Sequence, residues 1–229
     1  MPVYFLDEKN VFPDPMKSDP SGLLAIGGDL SVERLLLAYK MGIFPWYSED
    51  QPILWFSPDP RLIINLNDYK PSKSLLKIAN SGKFKVKADL NFQKVIENCA
   101  IVRRFGQSGT WITSEMKNAY VQLHNKGYAH SFETYLENEL VGGLYGVSLG
   151  GAFFGESMFH VVSNASKVAF YHLVQKCIEL NIDFIDSQIP TDHMKNLGGK
   201  EIPREEFLRV LKKSLKKKTV CGKWNIKEI

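Results

Sequence analysis

The stretch from Tyr128 to Phe159, YAHSFETYLENELVGGLYGVSLGGAFFGESMF, decides the fold. Its runs 128–136, 140–147 and 152–155 have the apolar, aromatic and β-branched content of strands, and Glu137-Asn138-Glu139 between the first two has the character of a hairpin turn. The middle strands are therefore predicted to be antiparallel. Six glycines, at 142, 143, 146, 150, 151 and 155, fall inside or beside them. Glycine weakens a strand, so this density points to close approach of backbone to backbone or to a ligand.

Outward from this core, helices and strands interleave. Helices are predicted over 72–81, 91–102, 113–126 with Gly127 at the end, 164–180, and 204–218 with Pro203 at the first turn. Further strands are predicted over 84–88 and 183–187. The pattern gives an α+β domain: a central, mostly antiparallel sheet with helices packed on it. The first sixty residues differ. FPDP, PSGLLAIGGDL, GIFPWY and WFSPDPR are dense in Pro, Gly and aromatics, as expected of a small irregular domain. One helix stands out there, with Ser31 as N-cap, Leu35-Leu36-Leu37 as its apolar run and Gly42 as its stop. A short strand over 62–64 follows, and the boundary is placed there: a small N-terminal domain, 1–62, and a catalytic domain, 63–229.

The 229 residues, 44% hydrophobic and 12% aromatic, supply ample core. Cys99, Cys177 and Cys221 are odd in number and far apart, which excludes a disulfide framework and a Cys-x-x-Cys metal site and fits a reducing compartment. No window reaches the roughly 18 apolar residues of a membrane helix, and MPVYFLDEKN lacks the form of an export signal. A cytoplasmic protein without membrane association is expected. The formal net charge of +4 permits nucleic-acid binding without demanding it. Lysines cluster at 73, 77, 83, 85 and 87 and again at 212, 213, 216, 217 and 218, with Arg103 and Arg104 between.

Phosphate loops, dinucleotide loops, His-Glu-x-x-His and nucleophile elbows are all absent. Cys177 lies on an apolar helical stripe, where a buried thiol is expected. The five histidines are scattered, His193 being the one near the polar cluster below. Glu156 is a carboxylate among Gly155, Ser157, Met158 and Phe159. If buried, it needs a partner, either Lys167 or an arginine of the fold, or a cationic substrate. In NIDFIDSQIPTDH, period-two alternation puts Ile182, Phe184, Asp186 and Gln188 on one face, so two polar groups end an apolar ridge. Catalysis and capping of the following turn both suit Asp186. Trp46 and Trp111 sit in Gly- or Pro-bounded loops, placed either to stack on a base or to pack an interface.

The strings GLLAIGGDLS, AYKMGIFPWYS, ILWFSPDPR, GTWIT, AYVQLHNKGYAHSFE, LVGGLYGV, FFGESMF, ASK, and IDSQ followed by DH and LGG run in order through nearly the whole chain. Together they closely resemble the leucyl/phenylalanyl-tRNA-protein transferases. The resemblance implies a catalytic domain like the GNAT acyltransferases behind a small N-terminal domain. It implies transfer of Leu or Phe, with Met as a further candidate, from aminoacyl-tRNA to proteins beginning with Lys or Arg. It also implies delivery of the products to an N-degron adaptor and protease, and a monomer with no metal and no cofactor. Laid on this sequence, it places the terminal adenosine of Leu-tRNA or Phe-tRNA between Trp46 and Trp111. Leu144, Phe153, Gly155, Met158 and Ile185 then surround the aminoacyl side chain, Leu144 standing where Met is common. Glu156 meets the acceptor, and Asp186 and Gln188 are catalytic. Ser187 departs from the usual Cys, its side chain expected on the opposite face, and Thr191 stands where Asn is frequent. An acetyl-CoA-dependent acetyltransferase is the main rival, but its pyrophosphate loop has only the incomplete match Arg103–Ser108. A tRNA-binding module without activity is the other, and the intact Asp186, Gln188 and Glu156 count against it.

Overall fold

The computed structural model describes residues 3–102 and 111–226. Arg103, Arg104 and the Arg103–Ser108 string lie outside the described residues.

The N-terminal part is more regular than its turn-dense sequence suggests. It contains β1 (Tyr4–Leu6), β2 (Leu23–Gly27), α1 (Val32–Lys40), β3 (Phe44–Pro45) and β4 (Leu54–Phe56). The strands form a sheet in the order β1-β2-β4-β3. They are two to five residues long, too short for periodicity to register. Ser31 caps α1 as expected, its hydroxyl accepting the N–H of Arg34. Gly42 (φ +73°) ends the helix, and a Cβ there would stand 2.8 Å from Phe207 and Leu208. Only glycine lets the chain pass so close to those side chains.

The remaining elements are β5 (Arg61–Asn65), α2 (Lys73–Ala79), β6 (Lys85–Ala88), α3 (Phe92–Ile101), α4 (Ser114–Asn125), β7 (Ala129–Leu136), β8 (Glu139–Leu149), β9 (Ala152–His160), α5 (Ala165–Glu179), β10 (Phe184–Asp186), α6 (Asp192–Asn196), β11 (Lys200–Ile202) and α7 (Arg204–Ser214). Their strands make a seven-stranded sheet in the order β11-β5-β10-β9-β8-β7-β6. Every pairing is antiparallel except β9 with β10, which α5 connects. This is an α+β fold with an antiparallel-rich sheet. The hairpin forms as the sequence indicates: Glu137 and Asn138 take φ of +51° and +71°, the mirror-image turn whose twist suits two adjoining strands.

Three expectations need correction. β9 continues through Glu156 to His160 instead of ending at Gly155. The last helix stops at Ser214, so Lys216, Lys217 and Lys218 follow it and do not share its face. β10 covers only 184–186, so alternation cannot be extended to Gln188.

The largest apolar cluster joins both sheets, bringing Leu35, Tyr39 and Trp55 together with Tyr145, Phe154 and Phe184. A second lies on the α5 side, where Phe132, Leu144, Phe153, Phe170, Leu173 and Ile185 meet Trp224. The first seats the N-terminal part on the large sheet; the second becomes the floor of the site. No helix among the described residues is long and apolar enough to cross a membrane.

Candidate active site

The parallel strands β9 and β10 pair from Ala152↔Phe184 to Phe154↔Asp186, and the pairing ends there. Beyond that point Gly155 and Glu156 on one side and Ser187 and Gln188 on the other line a cavity of about 550 Å³. The sheet opens because two local irregularities turn the strands apart. On β9, Tyr145 opposes Ser157 while Gly146 opposes Gly155, which leaves Glu156 as the extra residue of a bulge. Bulges re-aim side chains, and this one presents a carboxylate to the cavity. On the other side, Gln188 takes φ +55°, a left-handed conformation unusual for a residue with a Cβ.

That conformation overturns the predicted face-sharing. Asp186 is fully buried and absent from the lining, whereas Ser187 and Gln188 both line the cavity. Asp186 points to Arg61, whose Nε and terminal NH2 donate to its Oδ1 and Oδ2 at 2.9 and 2.6 Å. The guanidinium lies 4.9 Å from the Phe44 ring centre and 4.4 Å from that of Phe207. The free side of Asp186 Oδ1 accepts the backbone N–H of Gln188 at 2.9 Å. Asp186 therefore orients the Gln188 backbone and makes no hydrogen bond to its side-chain amide.

The amide is held by Glu156. Gln188 Nε2 donates to Glu156 Oε1 at 3.1 Å. Tyr39 donates to the same oxygen at 2.8 Å, and Tyr120 donates to Oε2 at 2.9 Å. The two tyrosine hydroxyls also contact each other. Neither Lys167 nor Arg61 pairs directly with Glu156. Burial pushes its pKa up to about 7; the two tyrosine hydrogen bonds and Arg61 pull it down, and the charge of Asp186 adds to the rise. Burial first, and then the Glu156 charge, holds both tyrosines well above their ordinary value, so they remain donors. Among the described residues no hydrogen bond reaches the side-chain oxygen Oε1 of Gln188, a geometry suited to accepting an N–H from a molecule in the cavity.

Of the other residues singled out from sequence, Trp46, Trp111, Leu144, Met158 and Ile185 also line this cavity. Phe153 does not. It is fully buried and packs in the cluster beneath, next to Trp224. Sequence reasoning missed Tyr39, Tyr120 and Arg61, and left His193 without a part. His193 lines the cavity, with its Nε2 3.2 Å from Met158 Sδ. Tyr39 sits on an amphipathic helix and reads as core. The one available signal was that a buried tyrosine hydroxyl requires a partner.

The described lining thus combines one carboxylate, one clamped amide, two tryptophans and an apolar floor. The family model for the leucyl/phenylalanyl-tRNA protein transferase matches residues 63–212, more than half of the chain, and that for the family's N-terminal domain matches 28–59. The chain belongs to this family. A leucyl/phenylalanyl-tRNA–protein transferase from Anaeromyxobacter sp. (strain Fw109-5) is 51% identical over 226 residues, covering 99% of this chain and 96% of that one. One from Desulfatibacillum aliphaticivorans is 52% identical over 226 residues, covering 99% and 97%. One from Legionella pneumophila (strain Corby) is 53% identical over 220 residues, covering 96% and 98%. Such similarity over nearly whole chains makes this an aminoacyl-tRNA transferase of that family.

Proposed function

We propose that the cavity takes the aminoacyl end of a tRNA and transfers Leu or Phe, with Met as a further substrate, to the amino group of a protein beginning with Lys or Arg. The products would pass to an N-degron adaptor and protease, and the enzyme would work in the cytoplasm as a monomer. On this reading residues 63–229 form a GNAT-like catalytic domain, with the splayed parallel pair as its substrate cleft, behind a small domain of residues 1–62.

The observation that carries the proposal is the clamped amide at the cavity wall. An aminoacyl ester is already activated, so an amine needs only to be held, neutral, against the carbonyl. With Nε2 committed to Glu156, Gln188 offers its carbonyl oxygen to that amine. The amine nitrogen bonds to the ester carbon, the carbon–oxygen bond to the ribose breaks, and the amine proton ends on the ribose oxygen. Asp186 serves by fixing the Gln188 backbone and by placing a negative charge behind the proton donor. Glu156 is the sole carboxylate of the described lining, and a cationic acceptor terminus is the natural complement to it. Leu144, Gly155, Met158 and Ile185 wall the side chain, with Phe153 acting from beneath. Trp46 and Trp111 would stack on the terminal adenosine.

The test is incubation with radiolabelled Leu-tRNA and peptides that begin with Lys, Arg or Asp. Label is expected on the first two only; label on none would defeat the proposal. Charge reversal by Glu156→Lys should abolish acceptor binding and spare aminoacyl-tRNA binding. Loss of both would remove Glu156 from the acceptor role.

A further inference from the structure

The last residues of the chain lie beyond the family model, which ends at 212, and nothing in their sequence suggested a part in the site. Yet Trp224 is 2% exposed and belongs to the same apolar cluster as Leu144, Phe170, Leu173 and Ile185, all of which line the cavity. Its backbone N–H donates to Asp89 Oδ2 at 2.7 Å. Asp89 is itself buried and also accepts from the Ser131 N–H at 2.8 Å and pairs with His130 at 2.8 Å. The indole stacks on the His130 ring, with centres 3.8 Å apart and planes 12° from parallel. Two contacts, to a linked Asp89–His130 pair, thus pin Trp224 into the body of the large sheet.

The indole also meets two phenylalanine rings of the sheet. Its ring centre lies 5.9 Å from that of Phe153 and 6.3 Å from that of Phe132. Phe153 pairs in register with Ile185, the residue of β10 that lines the cavity. The floor of the cavity is therefore two layers deep: lining residues above Phe153, and the tail tryptophan behind it.

We propose that Trp224 is a positioning residue that sets the depth of the aminoacyl side-chain pocket by holding Phe153 forward. This rests on the transferase reading above. Leu144, Met158, Phe170, Leu173 and Ile185 of the cavity come from strands and helices, which close-pack and resist movement. The segment after α7 is a different support, because its Trp224 side chain stands behind Phe153 from outside the sheet and helices. Depth, and with it preference among unbranched and aromatic side chains, then depends on the one large ring the tail supplies.

The experiment compares the intact chain with Trp224→Leu and Trp224→Phe for transfer from Leu-tRNA, Met-tRNA, Phe-tRNA and Trp-tRNA. Thermal unfolding is recorded for each. With less volume behind it, Phe153 can recede, so the Phe:Leu ratio of kcat/KM should rise roughly tenfold in Trp224→Leu, the scale of one or two methylenes in an apolar pocket. Transfer from Trp-tRNA should become measurable. Trp224→Phe retains a ring on His130 and should fold even if the leucine variant does not, with a smaller shift in the same direction. A merely structural tryptophan would lower all four activities together and leave their ratios alone. Unchanged ratios in either folded variant overturn the inference while leaving the transferase reading intact. Failure of the unmodified chain to transfer from any of the tRNAs overturns both.

Discussion

Removing Arg61 should leave Asp186 buried without its counter-charge, and the cost should depend on pH in a calculable way. Both side chains are fully buried and joined by two hydrogen bonds of 2.9 and 2.6 Å. In Arg61→Met the carboxylate has no cation and no water, so the folded protein escapes the penalty by protonating it. The unfolded chain keeps an ordinary carboxyl with a pKa near 4, so protonation at pH 7 costs about 4 kcal/mol. This falls within the range of roughly 3 to 5 kcal/mol for breaking a buried pair from one side. The sign follows from linkage. The variant's Asp186 has a folded pKa above its unfolded value, so stability is retained at low pH and lost as pH rises. Two pH units change the penalty by about 3 kcal/mol, leaving about 1 kcal/mol at pH 5. Urea unfolding of both proteins at pH 5, 6 and 7 measures the difference directly. Arg61→Met combined with Asp186→Asn removes both charges, so it should be more stable at pH 7 than the single Arg61→Met variant, with no extra pH slope, yet remain poor in transfer. A penalty independent of pH, or single-variant costs that simply add, would refute the coupling of this pair.

Four further outcomes follow from the site. Glu156 has a folded pKa of about 7 against an ordinary 4.5, so its contribution to stability falls as pH rises from 4.5 through 7; Glu156→Gln should flatten that slope in unfolding titrations, and acceptor KM should lose its improvement with rising pH. Gly155→Ala places a Cβ 3.7 Å from the Asp186 carbonyl oxygen and 3.8 Å from Ile185, ordinary contacts; the melting temperature should hardly move, while transfer of Phe falls more than transfer of Leu. Trp46→Ala and Trp111→Ala should each weaken binding of an aminoacyl-adenosine by about 1 to 3 kcal/mol, read by calorimetry. Gln188→Gly relieves the left-handed backbone and removes the amide, so stability should change by no more than about 1 kcal/mol while the transfer rate collapses; an active glycine variant would exclude the amide from catalysis.

The elements that sequence disclosed are those fixed by neighbours along the chain. Ser31 and Thr113 cap the helices that follow them, and Glu137-Asn138 forms its turn from its own two dihedrals. Eight of the ten residues assigned to the site from resemblance and chemistry line a single cavity, with Asp186 and Phe153 just behind it. What stayed hidden depends on contacts distant in sequence. Arg61 meets Asp186 across 125 positions, and Tyr39 meets Glu156 across 117. Neither arginine after a Pro-rich loop nor tyrosine on an amphipathic helix carries a mark of its partner. Period-two alternation failed at Gln188 because it presumes an extended backbone, and it could not foresee the bulge at Glu156 because a bulge is a property of two strands together.

The two irregularities have one physical purpose. In a regular parallel pair, β9 and β10 would remain hydrogen-bonded past Phe154 and Asp186, and there would be no cleft. Had β10 continued in extended form, Gln188 would have joined Asp186 on the Arg61 side of the sheet, inside the core. The left-handed turn costs about 1 kcal/mol for a non-glycine residue, and the surroundings supply that much several times over. Asp186 accepts the Gln188 N–H, and the Gln188 carbonyl accepts the N–H of Leu62 at 3.2 Å. Ser187 donates to the Leu62 carbonyl at 2.9 Å. Arg61 fixes Asp186, and so the adjacent strand β5 holds the turn through both backbone and side chain. The buried ion pair is thereby tied to function without touching substrate: it keeps an amide in a conformation it would not choose, facing a carboxylate that a bulge has turned toward it.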